Sequence, residues 1–177
     1  WSGWRIVCAV PAASELLHAT LGDQFGLVRI LFFDKPPGQS WNLGVHRDKT
    51  IAVAEHHDPA DPYGKPTVKA GVPHVVADDT LLEQMVTLRL HLDAMHADNG
   101  PLVVVPGSHH DRENSDRAAT VEIHCDAGDV FVMRPLLLHG SRSTSAGCSD
   151  HRRVVHLEFA PAGAIATPYQ WYQYQSL

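Results

Sequence analysis

The feature that most restricts the fold of this chain is a series of short segments rich in β-forming residues, each closed by a turn-forming cluster. In the most regular of them, VTLRLHLD (86–93), apolar and polar residues alternate strictly, which predicts a strand with one apolar and one polar face. Similar segments are LVRILFF (27–33), TIAVA (50–54), LVVV (102–105), TVEIHC (120–125), VFVM (130–133) and RRVVHLEFA (152–160). Many short strands with Gly, Pro and Asp turns, and without a βαβ rhythm, predict an all-β sandwich or barrel.

Three stretches are predicted to lie outside these strands. Residues 12–21, AASELLHATL, carry apolar residues at roughly helical spacing after a proline, which predicts a short amphipathic helix. The segment LLEQMV (81–86) predicts a helical turn, with Asp79 or Thr80 as its cap. The polar, proline-rich stretch 56–80 predicts a long loop, and a loop of this length in a compact domain is typical of a lid or a binding segment.

Charge and cysteine content exclude several classes of function. With a net charge of −6 and scattered basic residues, the chain is not expected to bind nucleic acid. Its three cysteines form no CxxC pair, so neither a disulfide framework nor a zinc knuckle is expected, and reduced thiols favour a cytoplasmic protein. No apolar run approaches the roughly 20 residues that span a membrane. The first residue is Trp1 and no signal-peptide pattern follows it, so we expect an N-terminally truncated chain.

Histidine and aspartate recur two residues apart at six places. The pairs are His46/Asp48, His56/Asp58, His91/Asp93, His96/Asp98, His109/Asp111 and His124/Asp126. Residues two apart on a strand share a face, so such a pair can offer an imidazole and a carboxylate to one metal ion. Because the chain has 13 histidines, the bare pattern is weakly specific. Four pairs fall in loops or beside turns; spacing alone leaves both His46/Asp48 and His91/Asp93 open.

A metal site of this kind needs a third ligand from elsewhere in the chain. Two histidines and one carboxylate on one face of a metal are diagnostic of non-haem Fe(II) oxygenases, which keep the remaining positions open. The best candidate is His139 in LLLHGS, after an apolar strand and before small residues. Arg152 and Arg153 begin a strand that can pair beside it, and a buried arginine is a natural bidentate clamp for a carboxylate cosubstrate. Either arginine can fill that role.

Five segments, taken in order, resemble the phytanoyl-CoA dioxygenase family of Fe(II)/2-oxoglutarate oxygenases. They are FFDKPPGQSWNLGVHRDKTIAV, KAGVPHVV, LRLHLDAMHADNGPLVVVPGSHH, GDVFVMRPLLLHGS and HRRVVHLEFA. The resemblance runs from about Leu27 to Ala160, and NGPLVVVPGSH and the HGS…RR ending carry most of its specificity. It implies an all-β core folded as a double-stranded β-helix (a cupin-like jelly roll) with one or two short flanking helices. We expect residues 1–177 to form a single domain of this type.

The resemblance also implies the metal ligands. In the family, an H-x-D pair precedes the NGPL…PGSH hairpin, and this position falls on His46 and Asp48, while the distal histidine falls on His139. Halogenating relatives replace the carboxylate by a small residue, so Asp48 argues for hydroxylation.

Further positions are implied to bind the cosubstrate. The arginine that holds the distal carboxylate of 2-oxoglutarate falls on Arg152, although Arg153 remains an alternative. Ser141 matches a serine that helps to hold the same carboxylate, and His91 lies where the family places a side chain near 2-oxoglutarate. Arg47 departs from the family, which often has glutamine there, so it either alters substrate charge preference or points to solvent.

The function implied is that of an Fe(II)- and 2-oxoglutarate-dependent dioxygenase. It would use O₂ to hydroxylate a small organic substrate, with release of succinate and CO₂. One alternative is a cupin-like metalloenzyme that does not use 2-oxoglutarate, which would not need an arginine clamp. A second is a degenerate jelly-roll binding module, which an intact set of metal ligands argues against. Thr87 and Arg89 are expected to line the pocket, and Lys35 is expected to be a solvated surface lysine.

Overall fold

A computed structural model describes residues 3–111 and 119–177. The helices are α1 (Trp4–Cys8), α2 (Pro11–Leu21) and α3 (Asp79–Gln84). The strands are β1 (Phe25–Lys35), β2 (Leu43–His46), β3 (Thr50–Ala52), β4 (Gly64–Lys69), β5 (Val72–Val76), β6 (Val86–His91), β7 (Leu102–Val104), β8 (Val121–Ile123), β9 (Val130–Met133), β10 (His139–Ser141), β11 (Arg152–Pro161) and β12 (Gln175–Ser176). Each of the seven apolar segments quoted above forms a strand, and α2 confirms the predicted amphipathic helix. The apolar strand expected directly before His139 was wrong, because residues 135–137 form a turn and β10 begins at His139 itself. Helix α1 is an addition that the sequence pattern did not indicate.

The strands form three sheets. One sheet has five strands in the order β12-β1-β11-β6-β9, and a second has four in the order β2-β10-β7-β8. The third contains β3, β5 and β4. In the second sheet, β10 pairs antiparallel with β2 on one side and with β7 on the other, and β7 pairs antiparallel with β8. These two larger sheets have the strand order of a double-stranded β-helix, which confirms the predicted fold class.

The described chain divides into two compact units. Of the described residues, unit 1 contains 3–30, 49–87 and 157–177, and unit 2 contains 31–48, 88–111 and 119–156. The core of unit 1 includes a group of three aromatic rings, in which Phe159 contacts both Trp4 and Phe25 with ring centroids 6.1 and 6.2 Å apart. The core of unit 2 includes the buried side chains of Met95, Leu102, Val104, Met133 and Leu137. That residues 1–177 form a single domain stays a prediction.

The prediction of a long loop over residues 56–80 was wrong, because much of this stretch forms an antiparallel hairpin of β4 and β5. Strand β5 also pairs with β3, which makes β4 the edge of the three-stranded sheet. All residues of β4 except its first are exposed, and it contains Pro66, so it lacks the apolar alternation that marks a strand in sequence. The turn between the strands uses Gly71 with a φ of 80°.

Helix α3 begins one residue earlier than the predicted caps allowed. Its cap is Asp78, whose side chain accepts a hydrogen bond of 2.8 Å from the backbone N–H of Leu81. This bond satisfies one of the N–H groups that a helix leaves without a partner at its first turn. Leu81 and Leu82 are then buried in the core of unit 1. None of the helices in the described ranges is both long and apolar enough to cross a membrane.

The polar face of β6 is buried as completely as its apolar face. Thr87, Arg89 and His91 have exposed fractions of 2%, 5% and 0%. Polar side chains at these positions therefore require partners or ligands inside the protein. The alternation of the sequence identified the strand, but it does not distinguish a polar face in water from a polar face inside a pocket.

Replacing Asp78 by alanine is expected to destabilise the protein by about 1 kcal/mol, because the cap of α3 is lost. Urea denaturation of the Asp78→Ala and Asp78→Asn variants measures the effect. The asparagine variant keeps a side-chain acceptor and is expected to stay close to the wild-type stability. Equal losses in both variants would show that the charge of Asp78, and not its hydrogen bond, stabilises the helix.

Candidate metal centre

Three predicted ligands, His46, Asp48 and His139, meet in unit 2. His46 is the last residue of β2 and lies opposite His139, the first residue of β10, in the antiparallel pairing of these strands. The centroids of the two imidazole rings are 4.6 Å apart. One ligand atom from each of the three residues lies within 4.8 Å of the others. We call this set the triad.

Asp48 reaches the triad by a route that strand periodicity did not predict. It lies beyond the end of β2, and its backbone N–H donates a 2.9 Å hydrogen bond to the carbonyl of Pro135. Its two carboxylate oxygens then face different histidines: Oδ1 is 3.6 Å from Nε2 of His46, and Oδ2 is 3.5 Å from Nε2 of His139. The carboxylate therefore lies between the two imidazoles.

Backbone carbonyls fix the orientation of both imidazoles. Nδ1 of His46 is 2.8 Å from the carbonyl oxygen of Gly44, and Nδ1 of His139 is 2.9 Å from that of Leu137. A carbonyl oxygen accepts hydrogen bonds and does not donate them, so Nδ1 carries the proton in each ring. The unprotonated Nε2 atoms are left facing the centre, which is the arrangement typical of histidine ligands to metals.

The electrostatics of the triad favour an ionised Asp48 carboxylate and a neutral His139 imidazole. Burial acts to raise the pKa of Asp48, but the neighbouring histidines outweigh it and bring the pKa to about 2. Burial lowers the pKa of His139, whereas the contact with Asp48 raises that of His46. Donor atoms bound about 2.0–2.2 Å from one metal lie some 3 Å apart, which is close to the separations in the triad. The residues present thus fit a divalent metal with two nitrogen ligands and one oxygen ligand.

Gly140 allows the two ligand-bearing strands to approach closely. A Cβ atom at this position would lie 2.6 Å from the carbonyl oxygen of Leu43 and 3.2 Å from the carbonyl of Gly44, both on β2. Any side chain would therefore have to displace backbone, which is rigid within a sheet. The glycine in HGS, beside the predicted ligand, is what permits His46 and His139 to lie opposite each other.

The two candidate arginines have different environments. Arg153 is half exposed and forms a bidentate pair with Asp93, with distances of 2.9 Å from Nε and 2.7 Å from Nη2. Arg152 is 4% exposed, and its Nε has no hydrogen-bond partner among the described residues. Burial lowers the pKa of Arg152 to about 10. Arg152 is therefore the arginine with an unsatisfied donor that an anionic ligand could bind. The guanidinium of Arg153 is already paired with Asp93.

His91 is fully buried, and neither of its ring nitrogens has a hydrogen-bond partner among the described residues. Burial lowers its pKa to about 4, and the nearby charges of Arg89 and Arg152 add to the effect. The ring is thus neutral near pH 7. Since Asp93 pairs with Arg153, His91 and Asp93 do not converge, and the competing H-x-D pair is not brought together as a ligand set.

Ser141 is buried near an unexpected cation. Its Oγ is 3.5 Å from Nζ of Lys35, which also donates to the carbonyl oxygens of Trp41 at 2.8 Å and Arg142 at 2.6 Å. Lys35 is 1% exposed, so its expected position on the surface was wrong. Burial, together with the charges of Arg152 and Arg89, lowers its pKa to about 8. The sequence gives no indication that Lys35 is buried, because a lysine two residues after an apolar run is usually exposed.

Arg47, which stands between two triad residues, lies against the protein and donates to backbone carbonyls. Its Nε is 3.1 Å from the carbonyl oxygen of Leu136, and its Nη2 is 3.3 Å from that of Ser108. Its guanidinium therefore links the segment that bears Asp48 to the segments before β10 and after β7. These contacts contradict the expectation of a free position in solvent, whereas an effect of Arg47 on substrate charge preference stays a prediction.

Within residues 3–111 and 119–177, the triad is the one group of three His, Cys, Asp or Glu residues with metal-ligand spacing. The remaining H-x-D pairs do not form such a group; His96, for example, pairs with Asp150 at 3.2 Å.

The comparison with known protein families agrees with this geometry. The sequence profile described as phytanoyl-CoA dioxygenase (PhyH) matches residues 7–154. The chain therefore belongs to the phytanoyl-CoA dioxygenase family. No curated protein gives a significant sequence match.

Solved structures share the jelly-roll fold at low sequence identity. EvdMO1 is 23% identical with a TM-score of 0.60, over 90% of this chain and 32% of its own. SnoN, a non-haem α-ketoglutarate-dependent epimerase from nogalamycin biosynthesis, is 16% identical with a TM-score of 0.62, over 92% of this chain and 57% of its own. HygX from Streptomyces hygroscopicus, with nickel and 2-oxoglutarate bound, is 14% identical with a TM-score of 0.57, over 90% of this chain and 67% of its own. The chain thus spans between about a third and two thirds of the length of these proteins.

Replacing Gly140 by alanine is expected to weaken metal binding about ten-fold or more, because the new Cβ meets the backbone of β2 and separates the two histidines. Isothermal titration with Ni²⁺ measures the change. Gly44→Ala is the matched control, because a Cβ at Gly44 meets nothing within 4 Å. If both variants bind Ni²⁺ as the wild type does, the close approach of the strands is not required for the site.

Proposed function

We propose that this chain contains the catalytic site of an Fe(II)- and 2-oxoglutarate-dependent dioxygenase that hydroxylates a small organic substrate, releasing succinate and CO₂. The observation that carries the proposal is the triad, with two Nε2 atoms and one ionised carboxylate directed at a common centre. Membership of the phytanoyl-CoA dioxygenase family supports it. So does the fold shared with HygX, which was solved with nickel and 2-oxoglutarate.

His46, Asp48 and His139 would hold Fe(II). When bound, the metal supplies the redox chemistry by which O₂ and 2-oxoglutarate oxidise a substrate. The task of the three side chains is to present deprotonated ligands in fixed positions on one side of the ion. The carbonyls of Gly44 and Leu137 keep each ring in the correct tautomer before the metal arrives.

Arg152 would bind the distal carboxylate of 2-oxoglutarate, with Ser141 beside it. The buried guanidinium has an unsatisfied Nε, and a carboxylate is the group that a guanidinium fork matches in geometry and charge. Ser141 is also buried, and its hydroxyl oxygen accepts a hydrogen bond from Nζ of Lys35. The hydroxyl proton is then free to be donated to the same carboxylate. His91, neutral and without a hydrogen-bond partner among the described residues, would complete the wall of this pocket.

Two alternatives differ in what they require of these residues. A cupin-like metalloenzyme without 2-oxoglutarate would use the triad but would leave Arg152 buried without a counter-charge. A degenerate binding module would require neither the triad nor Arg152. The presence of both sets of residues in unit 2 favours the dioxygenase.

Anaerobic Fe(II) titration, followed by visible absorbance, tests the proposal. A metal-to-ligand charge-transfer band is expected only when Fe(II) and 2-oxoglutarate are both present. His139→Ala is expected to abolish metal binding and the band. Arg152→Met is expected to lower the affinity for 2-oxoglutarate by at least about 30-fold, since a hydrogen-bonded ion pair inside the protein contributes 2 kcal/mol or more.

Arg153→Met is the matched control for Arg152→Met, because the neighbouring arginine is exposed and pairs with Asp93. It is expected to retain the band and the affinity of the wild type. Absence of the band from the iron-loaded wild-type protein would overturn the proposal. Loss of 2-oxoglutarate affinity in Arg153→Met, but not in Arg152→Met, would reassign the clamp. Succinate release with candidate substrates, together with mass analysis of the product, distinguishes hydroxylation from other 2-oxoglutarate-dependent reactions.

A further inference from the structure

Lys35, the last residue of β1, is a buried cation whose donors are all engaged within the protein. Its Nζ donates to the carbonyl oxygens of Trp41 and Arg142 and lies 3.5 Å from the hydroxyl oxygen of Ser141. An ammonium group has three N–H donors, and these three oxygen atoms take all of them. Lys35 therefore has no donor left for a ligand, and it can act on one only through the residues that it holds.

The three oxygen atoms around Nζ lie at one end of the pairing between β2 and β10. Ser141, the last residue of β10, is paired with Leu43, the first residue of β2. Arg142 follows directly after β10, and Trp41 precedes β2 by two residues. The ammonium group of Lys35 thus bridges the two strands just beyond their last residue pair, where the ladder between β2 and β10 has ended.

Different contacts hold the two ends of this pairing. At the end that bears His46 and His139, the backbone N–H of Asp48 donates a 2.9 Å hydrogen bond to the carbonyl of Pro135. At the opposite end, the bridging group is the side chain of Lys35. Loss of the ammonium group is therefore expected to loosen its own end of the pairing and to leave the metal ligands in place.

The turn at Gly100 leaves space for the ammonium group. Gly100 has a φ of 73°, and a Cβ atom there would lie 2.7 Å from Nζ of Lys35 and 2.6 Å from the carbonyl oxygen of Arg142. Both the positive φ and the close approach require glycine. The ring of Trp41 lies on another side, with its centroid 5.0 Å from Nζ. The backbone of an Asn-Gly turn thus forms part of the site that holds the lysine.

Contacts through Met95 connect Ser141 with Arg152. Nη1 of Arg152 is 4.0 Å from Sδ of Met95, and the backbone N–H of Leu102 is directed at the same sulfur, with its nitrogen 3.3 Å away. Leu102 is the residue paired with Ser141 between β7 and β10. The serine and the arginine therefore lie near one thioether group, which agrees with the proposal that both contact the same carboxylate.

We propose that Lys35 is a positioning residue that makes this site selective for a 2-oxo dicarboxylic acid. It fixes the end of β10 and engages the hydroxyl oxygen of Ser141, so that the hydroxyl proton is directed to the distal carboxylate. The inference rests on the proposed function, because it concerns how the same site binds its cosubstrate. A 2-oxo monocarboxylic acid has no acceptor for this proton, so its binding is expected to be independent of Lys35.

Calorimetry on the Ni²⁺-loaded protein tests the inference with two probes, 2-oxoglutarate and 2-oxopentanoate, in which a methyl group replaces the distal carboxylate. Lys35→Met is expected to weaken 2-oxoglutarate binding about ten-fold, since a misdirected hydroxyl forfeits one hydrogen bond to a charged group. The affinities for 2-oxopentanoate and for Ni²⁺ are expected to change less than about three-fold, because neither ligand uses that hydroxyl. A general loosening of the site would weaken both oxo acids alike.

Gly100→Ala reaches the same contact without changing the lysine. Its new Cβ would displace the ammonium group, so it is expected to reproduce the selective loss of 2-oxoglutarate affinity. Gly147→Ala is the matched control: Gly147 also has a positive φ, 81°, but a Cβ there meets nothing within 4 Å. This control is expected to bind both oxo acids as the wild type does. The glycine pair keeps the test decisive if Lys35→Met does not fold.

A double-mutant cycle shows whether Lys35 acts through Ser141. In the Ser141→Ala background, Lys35→Met is expected to change 2-oxoglutarate affinity less than about three-fold, because the hydroxyl it positions is already absent.

Three results would overturn the inference: unchanged 2-oxoglutarate affinity in Lys35→Met, equal losses for the two oxo acids, or a full ten-fold loss that persists in the Ser141→Ala background. A different outcome is a wild type that does not bind 2-oxoglutarate, or binds it no more tightly than 2-oxopentanoate. That outcome would contradict the proposed function itself and the inference with it.

Discussion

The pairing of β2 with β10 is the interaction on which the site depends. It places His46 opposite His139, and the absence of a side chain at Gly140 allows the two backbones to approach. Each imidazole is then held by a carbonyl two residues before it along the chain, that of Gly44 or Leu137. Asp48 enters between the rings by a hydrogen bond from its own backbone, not through a further strand pair. Metal-ligand geometry is thus a consequence of backbone hydrogen bonding in unit 2, and little of it is left to side-chain freedom.

Buried positive charge is the second organising feature of unit 2. Lys35 is stabilised by oxygen atoms of the protein itself, whereas Arg89 and Arg152 each retain unsatisfied donors. A folded protein tolerates buried, unsatisfied donors where a bound ligand supplies the missing hydrogen bonds and counter-charge. The two arginines are therefore better explained as ligand-binding residues than as residues of the core. Arg153, next in sequence to Arg152, is by contrast exposed, and its guanidinium is already paired with the carboxylate of Asp93.

Sequence periodicity predicted those parts of the fold in which burial alternates with the chain. Strands β1, β6, β7, β8, β9 and β11 of the two larger sheets and helix α2 were accessible in this way, and the triad residues became so once the resemblance was added. The short strands β2, β10 and β12 were not predicted, because two to four residues are too few to show an alternation. The hairpin of β4 and β5 was missed, because an exposed edge strand with a proline has no apolar alternation. The partners of Lys35, Arg47 and Arg89 could not be predicted from local sequence. Each of these side chains bonds to a carbonyl oxygen or a histidine at least 61 residues away along the chain.

The fixed tautomers of His46 and His139 also bear on which metal the protein acquires. Both rings are oriented by the protein alone, so the ligands are in place before any ion binds and the metal is not needed to assemble them. A ready set of two imidazoles and one carboxylate binds the later first-row divalent ions at least as strongly as iron, following the Irving–Williams order. The site therefore has little means of rejecting nickel, copper or zinc by affinity. Its iron content would be decided by the metal supply during synthesis, and a preparation exposed to other ions would be folded, fully loaded and inert.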